Sequence, residues 1–341
     1  MKLLRSPWLY VALGLLTALV YLRLFHHHHG LSSMQSSTAT TQTVESSPEL
    51  DVQRIMRTLH ERPVLGVMLM GWILIGAGLV IGGLVIGLRA MLARRVRAAF
   101  DYPSRLSYLW RLSDAVRVIL LLAFAVLLLP FVQLGLTRLH VQLLDDAHTW
   151  TVTGMLLLHS LLFLFVWAFA VDRTGSARQA FGLTPSVAGS ALRQAFVEYV
   201  AVFPWVFALL ALVAGVCEHF GIQPPSEPIQ ELVFGEPRAA VVAMTVVLAC
   251  VVGPIAEEVL FRGVLFTALR RHTPRRWAML ISGALFAALH ANIFGFLPMM
   301  VIGCLLADVY ERTGSLLAPV AVHMAHNAFL IGFALTVKAL G

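Results

Sequence analysis

Charged residues are scarce in this sequence: Asp, Glu, Lys and Arg together make up 13% of 341 residues, about half of what a soluble domain carries. With 59% hydrophobic residues and a mean hydropathy of +0.82, that scarcity excludes an ordinary soluble fold. Cysteine is scarce too. Cys217, Cys250 and Cys304 are the three present. They show neither metal-ligand spacing nor a disulfide framework, and read as small buried hydrophobes. No H-E-x-x-H zinc motif occurs, and no metal or other cofactor is implied. The formal net charge is +7, but no basic stripe interleaved with aromatics accompanies it, which argues against nucleic acid as a partner. The basic residues gather instead in short loops, where they set membrane topology. No repeat of solenoid type is visible.

What is present is a series of apolar runs, near 8–25, 64–88, 116–136, 149–171, 196–217, 239–269, 277–297, 297–311 and 316–337. Lipid satisfies no backbone polar group, so such runs form helices. The fold class expected is all-α, a polytopic bundle of eight to nine transmembrane helices. Residues 89–117 hold seven arginines and residues 270–276 hold four, so both loops are expected on the cytoplasmic side. Segments 137–148 and 218–238 carry an excess of acid over base and are expected outside, with the N-terminus cytoplasmic.

The expected organisation is an anchor over 1–30, a flexible polar linker over 31–63, helices and basic loops over 64–190, and a membrane core over 191–341. The first run has no small-x-small cleavage site after it, so an uncleaved anchor is preferred to a signal peptide. The tract His26–His29 reads as a tag remnant or native linker before it reads as a weak metal site. The second run holds Gly78-xxx-Gly82 and Gly83-xxx-Gly87, spacings that permit close helix approach within the bundle or in a dimer. Segment 178–193, with Phe181-Gly-Leu-Thr-Pro185, reads as an interfacial connector.

Chemistry concentrates in the last third. Glu257 and Glu258 are adjacent inside a long apolar run, and a carboxylate at membrane depth is costly and usually functional. Neighbours on a helix point about 100° apart, so the two cannot share one role. Glu258 and Arg262 stand at i and i+4, the order that pairs well, which leaves Glu257 to face elsewhere as a candidate base. Phe286 and His290 share a helix face, as do His323 and Asn327. His326 turns aside, and His159 reads as a structural hydrogen-bonder. Asp308, Glu311 and Arg312 before Gly314 read as a helix end. Glu257, His290, His323 and Asn327 fall at similar depths from the cytoplasmic side and can line one cavity. One carboxylate, two imidazoles and an amide are the parts for activating water against a peptide bond.

Three ordered motifs, Glu257-Glu258-x-x-x-Arg262, Phe286-x-x-x-His290 and His323-x-x-x-Asn327, resemble those of the type II CAAX-protease and bacteriocin-processing family of intramembrane glutamic proteases (CPBP or ABI). The segment Tyr310–Pro319 is also similar, and the resemblance covers about 239–330. It implies that Glu257 activates the attacking water with help from His290, that His323 and Asn327 stabilise the oxyanion, and that Glu258, Arg262 and Phe286 are supporting residues. It implies metal-free chemistry on a membrane-associated peptide, leader-like or lipidated, with membrane lipid as the surroundings, while the composition and loops of the chain suggest a bacterial plasma membrane as the location. Three other classes stay open at this point: a non-proteolytic scaffold or immunity-type protein of the same fold, a transporter or proton relay, and a zinc hydrolase using Glu257, His290 and His323.

Overall fold

A computed structural model describes residues 6–19, 52–92, 109–139, 146–174, 176–183, 185–222 and 232–340, with Ser104 and Leu106 besides. The His26–His29 tract, the polar stretch 31–51 and Arg94, Arg95, Arg97 and Arg105 lie outside the described residues. Among those described there is no strand. The helices are α1 (Pro7–Leu19), α2 (Val52–Glu61), α3 (Pro63–Leu92), α4 (Leu112–Arg138), α5 (Ala147–Thr174), α6 (Ala177–Ala180), α7 (Pro185–Phe220), α8 (Ala239–Arg270, with two π-helical stretches), α9 (Arg275–Leu289), α10 (Phe296–Thr313) and α11 (Leu317–Leu340). Each of the nine apolar runs holds a helix over most of its described residues. Six helices, α3, α4, α5, α7, α8 and α11, are long and apolar enough to cross a membrane, and the chain is a multi-pass membrane protein.

Two boundaries differ from the sequence expectation. The run expected over 277–297 stops at Leu289, and His290–Gly295 form a turn with Ala291 at φ 51°. Residues 52–61, expected within a polar linker, form α2. Val52, Ile55, Met56 and Leu59 recur at the 3.6-residue period, so α2 is amphipathic rather than continuously apolar, and a search for long apolar runs passes over it. Within segment 178–193, read from the sequence as a connector, α6 ends at Ala180 and Pro185 opens α7. Between them Phe181 is buried and stacks on the buried Trp110, centroids 6.3 Å apart. Its carbonyl accepts from Leu316 N–H at 3.1 Å. Gly182 has φ +63°, and a Cβ there would lie 1.8 Å from the Gly314 carbonyl oxygen. This connector is docked into the core.

Small residues set the helix crossings. A Cβ on Gly83 would lie 2.2 Å from the Val200 carbonyl oxygen, so α3 meets α7 there within the bundle. Gly78 and Gly87 face open space instead. A Cβ on Gly303 would lie 2.8 Å from the Gly283 Cα, so α9 and α10 touch backbone to backbone. Gly314 ends α10 in the left-handed conformation at φ 67°, as its sequence position predicts. The acids before it do more than cap. Glu311 is paired with Arg270 at 2.9 Å, and Asp308 with Arg312 at 2.7 Å and with Arg275, tying the α8–α9 turn to α10.

At the Ala239 end of α8 a second polar cluster closes the bundle. The buried Glu236 carboxylate accepts from Arg238 Nη2 at 2.7 Å and meets His148 Nδ1 at 2.7 Å, while its backbone carbonyl accepts from Lys338 at 3.0 Å. Asp146 accepts from Arg238 at 2.6 Å and from Thr149 N–H at 2.8 Å. The Arg238 hydrogen bonds are the main cause that holds both carboxyls below the usual range, Asp146 at about 2. A depressed folded pKa gives stability that is present above the unfolded value and lost as pH falls through the folded one. The melting temperature of the purified protein is therefore expected to drop as pH falls from about 4 towards 2. In Arg238→Ala that drop should be shallower. Melting curves at stepped pH check this, and identical slopes in the two proteins would sink it.

Candidate active site

α8 carries the glutamates on an interrupted helix. Over Leu248–Val252 its turns are π-helical, and Gly253 N–H donates to the Leu248 carbonyl, five residues back. The Ala249 carbonyl would next be served by residue 254, which is proline and has no N–H. Asn327 of α11 fills the gap: its Nδ2 donates to the Ala249 carbonyl at 2.8 Å. A second π stretch, Val259–Phe266, contains Arg262. Such bulges recur at functional sites. The pair Gly253-Pro254 inside an apolar run is the sequence signal for this break.

Glu258 and Arg262 are both fully buried, with Arg262 Nη1 donating to Glu258 Oε1 at 2.9 Å. Arg262 Nη2 donates to the Gly303 carbonyl at 3.0 Å, and the guanidinium lies 4.6 Å from the centre of the Phe286 ring. The Gly283–Gly303 crossing thus brings α10 close enough to supply an acceptor for a buried cation. Glu258 Oε1 also meets His323 Nδ1 at 2.9 Å. A carboxylate at Nδ1 places the ring proton there and turns Nε2 the other way. His323 Nε2 lies 3.7 Å from Glu257 Oε2. The Glu257 side chain is 24% exposed and that of His323 is 4% exposed. Glu257 Oε2 has no hydrogen-bond partner among the described residues.

Phe286 holds the two histidines apart and in place. Its ring centre is 5.0 Å from that of His290 and 5.6 Å from that of His323. His290 is exposed at the C-terminal end of α9, with Nδ1 2.9 Å from the Phe286 carbonyl. The structure therefore joins Glu257, Glu258, Arg262, Phe286, His290 and His323 in one chain of contacts. Asn327 stands one turn from His323 and bonds to the helix of the glutamates one turn before Gly253. His326 turns aside to Tyr199, whose hydroxyl is 3.0 Å from its Nδ1. His159 meets its own helix at the Met155 carbonyl, 2.5 Å away. Among the described residues no three His, Cys, Asp or Glu side chains are placed to share a metal ion.

The Asn327 contact has a measurable weight. Removing the partner of a buried carbonyl costs about 1–3 kcal/mol, and Ala249 is buried. Asn327→Ala is expected to lower the melting temperature, and Asn327→Asp likewise, since an ionised carboxylate cannot donate. An unchanged melting temperature in both variants would show that the amide carries no structural load.

Comparison with known proteins bears on the same segment. Residues 239–329 match the family model described as type II CAAX prenyl endopeptidase Rce1-like. Over 121 residues the chain is 32% identical to the Bacillus subtilis (strain 168) protein named "Putative membrane peptidase YdiL", an overlap of 35% of this chain and 48% of that protein. Over 128 residues it is 29% identical to an "Uncharacterized 24.3 kDa protein" of Escherichia coli, 36% of this chain and 59% of the other. The chain thus spans about half the length of the curated relatives it matches. No solved structure matches it significantly. The part of the chain that holds Glu257, His290, His323 and Asn327 is accordingly similar to the Rce1-like type II CAAX prenyl endopeptidases.

Proposed function

We propose that the protein is an intramembrane endopeptidase that hydrolyses peptide bonds of membrane-associated substrates with water activated by Glu257. One observation carries the reading: Glu257, whose side chain is 24% exposed, turns a buried Oε2 towards a buried imidazole at 3.7 Å, and that imidazole is held from behind by a second, buried carboxylate. The two adjacent glutamates thereby take different roles. Glu258, tied to Arg262 and His323, orients. Glu258 and Glu257 each have one buried oxygen without a hydrogen bond, but Glu257 has no close ion pair, its ionic contact being at 3.7 Å, and is the group left to hold and deprotonate a water.

In this scheme Glu257 takes one proton from water as the water oxygen bonds to the scissile carbonyl carbon. The carbonyl becomes an oxyanion. The proton then passes to the amide nitrogen as the C–N bond breaks, directly or through His323 Nε2. One N–H of Asn327 is spent on Ala249; the amide has a second, which is the donor we assign to the oxyanion. His290, exposed at the end of α9, stands at the mouth of the site and meets the others through Phe286. The scheme needs no metal. The family resemblance pairs Glu257 with His290, but the distances favour His323 as its nearer partner.

The substrate class we propose is a leader-type or lipidated segment presented at the bilayer. The arginines at 89–117 and 270–276 support a cytoplasmic site and N-terminus, and the bacterial relatives support a plasma-membrane location. The test is mass spectrometry of a membrane-peptide library incubated with the protein in liposomes, with and without chelator. Cleavage insensitive to chelator is expected. Cleavage abolished by chelator would move the chemistry to a metal, and no cleavage of any peptide would favour a scaffold.

A further inference from the structure

The turn between α8 and α9 opens onto a groove that the proposed reaction does not use. Its volume is about 600 Å³, and Pro274, Arg275, Arg276, Met279, Leu280 and Cys304 line it. The groove follows from the helix crossing. Gly283 and Gly303 bring α9 and α10 to backbone contact. One turn nearer the Arg275 end the helices carry Met279 and Leu280 on one side and Cys304 on the other, and Cys304 Sγ reaches the Met279 carbonyl at 3.5 Å. The floor is therefore apolar, and the rim is basic.

Two observations at the rim point to the same occupant. Trp277 is 62% exposed and directly follows the four arginines of 270–276, a combination of aromatic and basic residues enriched at the headgroup level. Beside it Arg276 is exposed, and among the described residues nothing accepts from its guanidinium. Its neighbour Arg275 is already committed to Asp308. A cation at headgroup depth sits about 6 Å along the helix from Leu280, at 1.5 Å per residue. That spacing suits a molecule with an anionic head and a hydrocarbon tail.

We infer that this groove binds one anionic phospholipid, its phosphate on Arg276 and an acyl chain lying against Met279, Leu280 and Cys304. Basic pockets between transmembrane helices recognise such headgroups by charge, while the apolar floor separates a lipid from a free phosphate. The inference does not depend on the protease reading.

Native mass spectrometry of the full chain in neutral detergent tests it, with phosphatidylglycerol, phosphatidylcholine and glycerol phosphate titrated separately. One phosphatidylglycerol is expected to be retained at concentrations where phosphatidylcholine and glycerol phosphate are not. Arg276→Gln should weaken that retention about fivefold, the equivalent of about 1 kcal/mol for one cation near the surface. Arg276→Lys should largely preserve it, and Leu280→Trp, which fills the groove from an exposed position, should abolish it. Residues 276 and 280 are both exposed, so these variants are expected to fold, and unchanged melting temperatures verify that. Equal retention of the two lipids by the wild type would overturn the inference, as would phosphatidylglycerol binding that neither Arg276→Gln nor Leu280→Trp alters. Retention of glycerol phosphate as strong as that of the lipid would also overturn it.

Discussion

Glu257→Gln is expected to abolish peptide cleavage while leaving the protein folded. The amide keeps the size of the side chain and removes its ability to take a proton. General-base catalysis contributes about 10²–10⁴-fold, so turnover of a fluorogenic membrane peptide should fall by that order. Stability should hardly change, because the Glu257 side chain is 24% exposed and its nearest ionic contact is at 3.7 Å, beyond hydrogen-bond length. No folded-state hydrogen bond to Oε2 is lost, since none is made. That separation makes the variant informative. A protein that melts like the wild type and does not cleave identifies Glu257 as chemistry. A protein that cleaves within about threefold of wild type, well short of the range above, would remove Glu257 from the mechanism. The fold would then be left to a scaffold or to another base.

Much of this arrangement is legible from the residues alone, for identifiable reasons. Long apolar runs announce α3, α4, α5, α7, α8 and α11, because lipid permits one solution for an open chain. The i, i+4 spacing of Glu258 and Arg262 predicts their pairing, and the pair is present. Proximity of side chains on different helices is another matter. Nothing in the spacing of Glu258 and His323, 65 residues apart, says that they touch, and nothing marks Gly303 as the acceptor for Arg262. The similar depths of Glu257 and His323 are compatible with contact but also with opposite faces. The structure brings them together because α9 and α10 cross on glycines and α11 closes over α8. The Asn327 contact with Ala249 was hidden for a different reason. It answers a defect, the missing N–H of Pro254, and an asparagine in a recognisable motif draws attention to the substrate first. Helix α2 was hidden because its apolar residues are periodic rather than continuous.

The fully buried Glu258–Arg262 pair yields the other large effect. Removing one partner of such a pair leaves an uncompensated charge and costs about 3–5 kcal/mol. Glu258→Leu and Arg262→Met, each alone, are therefore expected to melt far below the wild type and to express poorly. Replacing both together removes the stranded charge. Apolar replacement of a buried pair is often neutral or stabilising by about 1–4 kcal/mol, so the double variant should recover most of the lost melting temperature. Its activity should not recover. Glu258 Oε1 is the group that meets His323 Nδ1 at 2.9 Å, and with a leucine there the imidazole loses the acceptor that fixes its tautomer. A folded double variant that cleaves poorly, with an altered pH profile of cleavage, separates orientation of His323 from simple structural support. Recovery of both stability and cleavage would reduce Glu258 and Arg262 to a packing pair, and Glu257 with His323 would then need no second carboxylate behind them.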